Sequence, residues 1–162
     1  MMPQGSVPEL LTLPMGREHL EAVAELERLC FREPWSARAL ELLLGEDATG
    51  AVSIADGRVV AYGGMMFAPG EGQITNVAVH PDFRRRGCAG AVLRALTLVA
   101  LKREDCQQIS LEVRESNGAA IALYQQNGFL TVGRRRRFYR NPAEDGLVMI
   151  KNLGEDAPDP VP

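Results

Sequence analysis

The sequence predicts one α/β domain, a mixed and mostly antiparallel central sheet of about six to seven strands flanked by about four helices. Three observations carry that expectation. Residues 51–55, 59–67 and 73–79 are β-prone runs separated by Asp56-Gly57 and by the loop Pro69-Gly70-Glu71-Gly72, the pattern of three antiparallel strands in a meander. A long helix with one apolar stripe then stands between the last of these runs and the alternating run at 109–113, a succession that implies a parallel crossover. Finally, 162 residues with 46% hydrophobic content fit a single domain large enough for a real core. The domain is expected over 1–153. The acidic, proline-containing tail over 154–162 has no apolar surface to bury and is expected to be disordered.

Each element follows from local pattern. A short strand is expected near 10–13. Leu20, Val23, Ala24, Leu26 and Cys30 then recur at helical spacing, and Glu33-Pro34-Trp35-Ser36 ends that helix. Ser36 is placed to cap a second helix that carries Leu40, Leu43 and Leu44 and stops near Gly45. In the long helix that begins near Cys88, Val92, Leu93, Leu96, Val99, Ala100 and Arg103 fall within one broad stripe, which should lie flat on the sheet. Ile109, Leu111 and Val113 alternate with Ser110, Glu112 and Arg114, so Glu112 is sent to the face opposite the apolar residues. Ser116 is placed to cap a short helix over 117–126, Asn127-Gly128 ends it, and strands over 130–136 and 147–152 complete the sheet.

Composition excludes several functions. The apolar runs are too short to span a bilayer, and the N-terminus lacks the basic and apolar regions of a secretory signal, so a cytoplasmic protein with no membrane association is expected. Cys30, Cys88 and Cys106 are odd in number and lack metal-ligand spacing, and only His19 and His80 are available, so no metal site is expected. A net charge of −3 argues against direct nucleic-acid binding, although the average hides arginine clusters at 84–86 and 134–137.

The most informative segment runs from Val77-Ala78-Val79 through His80-Pro81-Asp82-Phe83 into Arg84-Arg85-Arg86-Gly87-Cys88-Ala89-Gly90. A helix start offers several free N–H groups and the positive end of its dipole, glycines admit close approach of an anion, and arginines add charge. The residues alone fit a phosphate cradle and a solvated basic turn about equally. Cys88 reads as a small filler and His80 as a loop residue.

The turn Arg84-Arg85-Arg86-Gly87-Cys88-Ala89 resembles the Q/R-x-x-G-x-G/A motif of the GNAT superfamily of acyl-CoA-dependent N-acetyltransferases. Residues 111–124, Gly128-Phe129, Glu33-Pro34-Trp35-Ser36 and Phe138-Tyr139 extend the likeness to the ribosomal-protein-alanine N-acetyltransferase family, over roughly residues 7–153. The resemblance implies a GNAT-like fold and acetyl-CoA as co-substrate. It implies that Val77, Ala78 and Val79 offer backbone groups to the pantetheine arm and that Arg85, Arg86, Gly87, Cys88, Ala89 and Gly90 wrap the pyrophosphate, with Asn117 also on the cofactor. It implies that Glu112 is the general base, acting through water, that Tyr124 protonates the departing thiolate, and that Trp35, Arg135, Arg136 and Tyr139 line the acceptor groove. The acceptor so implied is a protein N-terminus, the alanine of a small-subunit ribosomal protein.

The residues by themselves support part of this. Asn117, Ile121 and Tyr124 share one helix face, with Asn117 and Tyr124 about 10 Å apart along the axis, so one face can follow an extended ligand. An alkylammonium must lose a proton before it attacks, and a thiolate leaves more readily beside an acid. Each residue also has a structural reading: Glu112 as an ion-pair partner of a nearby arginine, Tyr124 as a core aromatic, Asn117 as a helix cap. On a regular strand Arg134 and Arg136 would share one face and Arg135 and Arg137 the other, a solvated edge; these extra arginines depart from the commoner family pattern. The alternative functions are acetylation of a protein lysine or a small amine such as a polyamine or antibiotic, and acetyl-CoA binding without turnover.

Overall fold

A computed structural model describes residues 9–154. The expected tail lies outside the described residues except for Gly154.

Among the described residues seven strands form one sheet in the order β1-β2-β3-β4-β5-β7-β6. In chain order the elements are β1 (Leu11–Pro14), α1 (Leu20–Cys30), α2 (Ala37–Leu40, prolonged by the 3-10 turn Glu41–Leu44), β2 (Ala48–Ala55), β3 (Arg58–Ala68) and β4 (Glu71–Val79). They continue with α3 (Cys88–Leu101), β5 (Gln108–Arg114), α4 (Gly118–Gln126), β6 (Leu130–Tyr139) and β7 (Glu144–Asn152). Every neighbouring pair is antiparallel except β4 and β5, which the α3 crossover makes parallel. This is the α/β class, the mostly antiparallel sheet and the number of helices that the sequence predicts.

Each face of the sheet carries its own core. Val92, Leu93, Leu96 and Ala100 of α3 pack with Met65, Ile109, Leu111, Tyr124 and Phe129 on one face. Leu20, Val23, Ala24 and Leu26 of α1 pack with Leu40, Leu43, Val52 and Tyr62 on the other. Close approach of α3 depends on Gly63, where an added Cβ would stand 2.6 Å from Val92 Cγ1. The Asp56-Gly57 turn between β2 and β3 has positive φ at both residues, 50° and 75°, as a tight hairpin of that sequence requires.

The structure departs from local pattern in four places. Asn117, not Ser116, caps α4, which starts at Gly118: its side-chain oxygen accepts the Ala120 N–H at 3.1 Å, and the Ser116 N–H donates to Glu144 Oε2 at 2.6 Å. Val99 stays 36% exposed and Arg103 lies beyond α3, where it pairs with Asp47 and stacks over the Phe67 ring, so the core stripe of α3 is narrower than its spacing suggests. The last strand inserts between β5 and β6, which leaves β6 as the exposed edge. Pairing of β6 with β7 slips between Arg135 and Tyr139, and Arg137 adopts φ +49°, so the four arginines do not simply alternate faces.

Candidate active site

The site grows from an interruption in β4. Against β3, Gly63 is opposite Val77 while Met65 is opposite Ile74, so β4 carries one extra residue around Thr75 and Asn76. The bulge upsets alternation: Thr75 Oγ1 lies 2.6 Å from where a Cβ on Gly64 would stand, beside Leu43, and the Asn76 amide reaches Glu27 of α1. Both side chains therefore face α1 and α2. Among the described residues Thr75 Oγ1 is buried without a partner.

Beyond the bulge β4 leaves its parallel neighbour. It pairs with β5 only from Glu71 to Gln73, against Gln108 to Ser110, and the two strands then diverge. The His80 N–H donates to Val60 O, so alternation turns the peptide groups of Ala78 to β3 and those of Val77 and Val79 to the open side. The Val79 carbonyl confirms this orientation, since it accepts from Arg84 Nε at 3.3 Å and from Cys30 Sγ at 3.5 Å instead of from a strand. An open wedge with strand peptide groups on one wall suits an extended amide-bearing chain.

At the end of the wedge the turn into α3 is tightly wound. Arg85 has φ +63° and Gly87 has φ +78°, and Gly87 caps the helix with no side-chain bond. A Cβ at Gly87 would meet nothing within 4 Å, so backbone conformation, not crowding, selects glycine there. The first intrahelical bond of this end is Ala91 N–H to Gly87 O, which leaves the N–H groups of Cys88, Ala89 and Gly90 without helical acceptors. Cys88 is buried, donates to Phe83 O and is held above the usual thiol range by burial, as suits a filler. Arg86 lies over the Phe83 ring. This cradle fits a diphosphate: free amides, the positive helix end and two arginines.

The other wall holds the candidate acid and base. Glu112 projects from β5, its side chain 33% exposed, and its Oε1 stands 3.4 Å from Arg135 Nε. Tyr124 of α4 is 9% exposed, edge-on to Phe129, and its phenol is pushed up to about 12 by burial, with a smaller contribution from Tyr139. Tyr139 is likewise pushed up to about 12, first by burial and then by the charge of Glu112, while Arg114 over its ring opposes the rise. Glu112, Tyr139 and Tyr124 thus lie in one electrostatic neighbourhood, in which both phenols keep their protons.

The remaining predicted residues are distributed unevenly. Trp35 packs half-buried against the α1 and α2 core. Asn117 is exposed but spends its side chain on the cap. Arg134 is neutralised by Glu115 and Asp145, whereas Arg136 forms no ion pair among the described residues. The loop after α1 and the β6–β7 hairpin meet where Arg32 donates to Asn141 O and the Asn141 amide to Glu33 Oε1. With Pro142 these residues line an open groove of 630 Å³. Among the described residues no group of His, Cys, Asp or Glu is arranged to hold a metal ion, and no helix is long and apolar enough to cross a membrane.

Sequence reading missed Glu27. It is fully buried, and Oε1 accepts the Trp35 N–H at 2.9 Å and Asn76 Nδ2 at 3.1 Å, while Oε2 accepts the Tyr62 hydroxyl at 3.0 Å. Burial raises its pKa above the ordinary carboxylate value, and these hydrogen bonds oppose the rise. The signal was available: residue 27 falls on the stripe of Leu20 and Val23, so α1 spacing places a carboxylate on its buried face.

The model of the acetyltransferase (GNAT) family matches residues 20–129. The chain is 34% identical over 132 residues to the ribosomal protein bS18-alanine N-acetyltransferase of Salmonella typhimurium, covering 80% of this chain and 88% of the relative. It is 32% identical over 148 residues to the N-alpha-acetyltransferase RimI of Mycobacterium tuberculosis, covering 87% and 91%. The crystal structure of the ribosomal-protein-S18-alanine N-acetyltransferase from Escherichia coli superposes with a TM-score of 0.81 at 29% identity, covering 93% of this chain and 99% of that one.

Proposed function

The chain belongs to the acetyltransferase (GNAT) family and is an acetyl-CoA-dependent N-acetyltransferase, and on that premise we propose that it acetylates a protein N-terminal α-amine, that of the N-terminal alanine of a small-subunit ribosomal protein. The observation that carries the acceptor is the near full-length likeness to relatives whose names specify that reaction, 34% identity over 88% of the Salmonella typhimurium enzyme. The enzyme is proposed to act in the cytoplasm.

Bound in the wedge, acetyl-CoA supplies the activated acyl carbon. The Val77 and Val79 peptide groups on the open side hold the pantetheine amides and offer an N–H to the thioester carbonyl, with Ala78 keeping that strand in register against β3. The backbone from Arg85 through Gly87 to Gly90, including Cys88 and Ala89, wraps the diphosphate, and Arg85 and Arg86 add charge. Asn117 holds the start of α4 against the cofactor.

Glu112 takes the proton from the acceptor ammonium through water, since only the free amine attacks. Arg135 stands 3.4 Å from that carboxylate, in the place the acceptor ammonium takes when it binds. Tyr124, protonated throughout the working pH range because burial pushes it up to about 12, returns a proton to the thiolate that leaves. Trp35, Arg135, Arg136 and Tyr139 bound the acceptor groove, and the excess of arginine there favours acceptors with acidic residues near the N-terminus.

Short peptides with free and with blocked α-amines test the assignment. Acetylation of the free form alone supports it. Transfer to a blocked peptide's lysine, or to a polyamine in preference to both peptides, moves the enzyme to another acceptor class.

A further inference from the structure

The buried carboxylate of α1 is a charged group the mechanism does not use, and its contacts define a role. Burying a carboxylate is costly, and an apolar side chain of similar size on the buried face of α1 would avoid that cost. Glu27 is instead spent on three segments that are not its own. It holds the Trp35 N–H in the loop after α1, the Tyr62 hydroxyl on β3 and the Asn76 amide in the β4 bulge. Two of these segments are assigned above to different reactants. The loop with Trp35 borders the acceptor groove, and Asn76 immediately precedes Val77, whose peptide group faces the wedge.

We propose that Glu27 is a positioning residue for acetyl transfer: one buried carboxylate ties the acceptor-side loop to the thioester-side bulge and thereby sets the distance between the two reactants. The inference rests on the assignment above of Trp35 to the acceptor groove and of Val77 to the cofactor. Four short contacts to one rigid group leave little play, and transfer rates are sensitive to displacements on the order of 1 Å. The tie does not involve the diphosphate turn, which lies beyond Val79. It therefore acts on alignment of the reacting ends and leaves capture of the cofactor alone.

Glu27→Gln, Glu27→Leu and Tyr62→Phe in the full chain test this. Glu27→Gln keeps an acceptor for the Trp35 N–H but mismatches the Asn76 amide. It should lower kcat on the order of tenfold to a hundredfold and raise the acceptor KM. The affinity for CoA, read by calorimetry, should stay within about twofold, because the phosphate contacts are untouched. The pH profile should keep its wild-type shape, unlike that of Glu112→Gln. Glu27→Leu should lose more than Glu27→Gln, a graded rescue that mere packing would reverse; if it fails to fold, Glu27→Gln and Tyr62→Phe still decide.

Amide exchange gives a readout independent of the acceptor. In Glu27→Gln, residues 31–36 and 75–79 should exchange faster together, with protection at the start of α3 unchanged. Unchanged kcat and acceptor KM with only a lower Tm, or loosening of one segment without the other, would overturn the proposal. If the wild-type enzyme acetylates no N-terminal peptide, the acceptor assignment fails on its own, and the paired exchange still decides the tie.

Discussion

Arg135 Nε stands 3.4 Å from Glu112 Oε1, reaching across β7 from the edge strand to the strand beside the wedge. Glu112 is opposite Val148 and Arg135 is opposite Gly146 on that intervening strand, so the contact is a diagonal between side chains on one face. Both groups are well exposed, and a pair of this kind is worth at most about 1 kcal/mol.

That small value separates two roles for Glu112. If the pair were its purpose, Glu112→Gln and Arg135→Gln would have equal and slight effects. As the base, Glu112→Gln should lower kcat on the order of a hundredfold or more, most severely below the pH at which the acceptor amine deprotonates, while Arg135→Gln changes kcat by less than about fivefold. CoA binding should survive both changes. Steady-state rates of the two variants across pH check this, and equal losses would exclude the base assignment.

Tyr124→Phe removes the proposed proton donor but keeps the ring packed on Phe129. It should lower kcat at least about tenfold with little change in Tm. Because burial pushes the phenol up to about 12, the wild-type rate should show no alkaline fall below about pH 10. A fall near pH 8 to 9, abolished in Tyr124→Phe, would mean that the phenol titrates far below the value its burial imposes.

Gly87→Ala forces a side chain onto φ +78°, at a cost of about 1–2 kcal/mol, in a place where an added Cβ meets no neighbour. Affinity for CoA should fall roughly tenfold by calorimetry as the free amides are displaced. A thioester of pantetheine, which has no diphosphate, should bind the variant and the wild type alike. Equal weakening of both ligands would detach the turn from phosphate recognition.

The β6–β7 hairpin is held by carboxylates with lowered pKa. Glu144 is held below the ordinary range first by hydrogen bonding from Ser116 and then by Arg114, and Asp145 by the Arg137 N–H and then Arg134. A depressed folded-state pKa contributes stability above the unfolded value, and that contribution is lost as pH falls through the folded one. Exchange at the Ser116 and Arg137 amides should therefore accelerate, after intrinsic correction, below about pH 4. Protection that stays constant through that acidification would contradict the assignment.

Most of the fold was legible because it rests on local pattern. Asp56-Gly57 announced its hairpin, the alternation around Glu112 announced β5, and the strand, helix, strand succession announced the one parallel pair. The features missed depend on partners distant in sequence. Asn117 caps α4 as its own structural reading has it, while Ser116, the other cap expected, gives its N–H to Glu144, 28 residues beyond. The insertion of β7 between β5 and β6 is a choice among pairings that no single strand encodes. The arginine run kept its residues but lost its alternation, because Asp145 draws in both Arg134 and the Arg137 N–H and bulges the strand. In the site, the turn and Glu112 were visible as motif, whereas Glu27 showed only as a charged residue on an apolar stripe, whose meaning depends on Tyr62 and Asn76.

The most direct test of acyl transfer to an α-amine offers the enzyme isotopically labelled acetyl-CoA and a panel of peptides copied from ribosomal protein N-termini, each with an internal lysine, and locates the label by tandem mass spectrometry. The label should appear on the α-nitrogen of alanine-initiated peptides, with the internal lysine unmodified and with incorporation sharply reduced in Glu112→Gln. Label on the lysine Nζ, or none on any peptide despite measurable CoA binding, would contradict it.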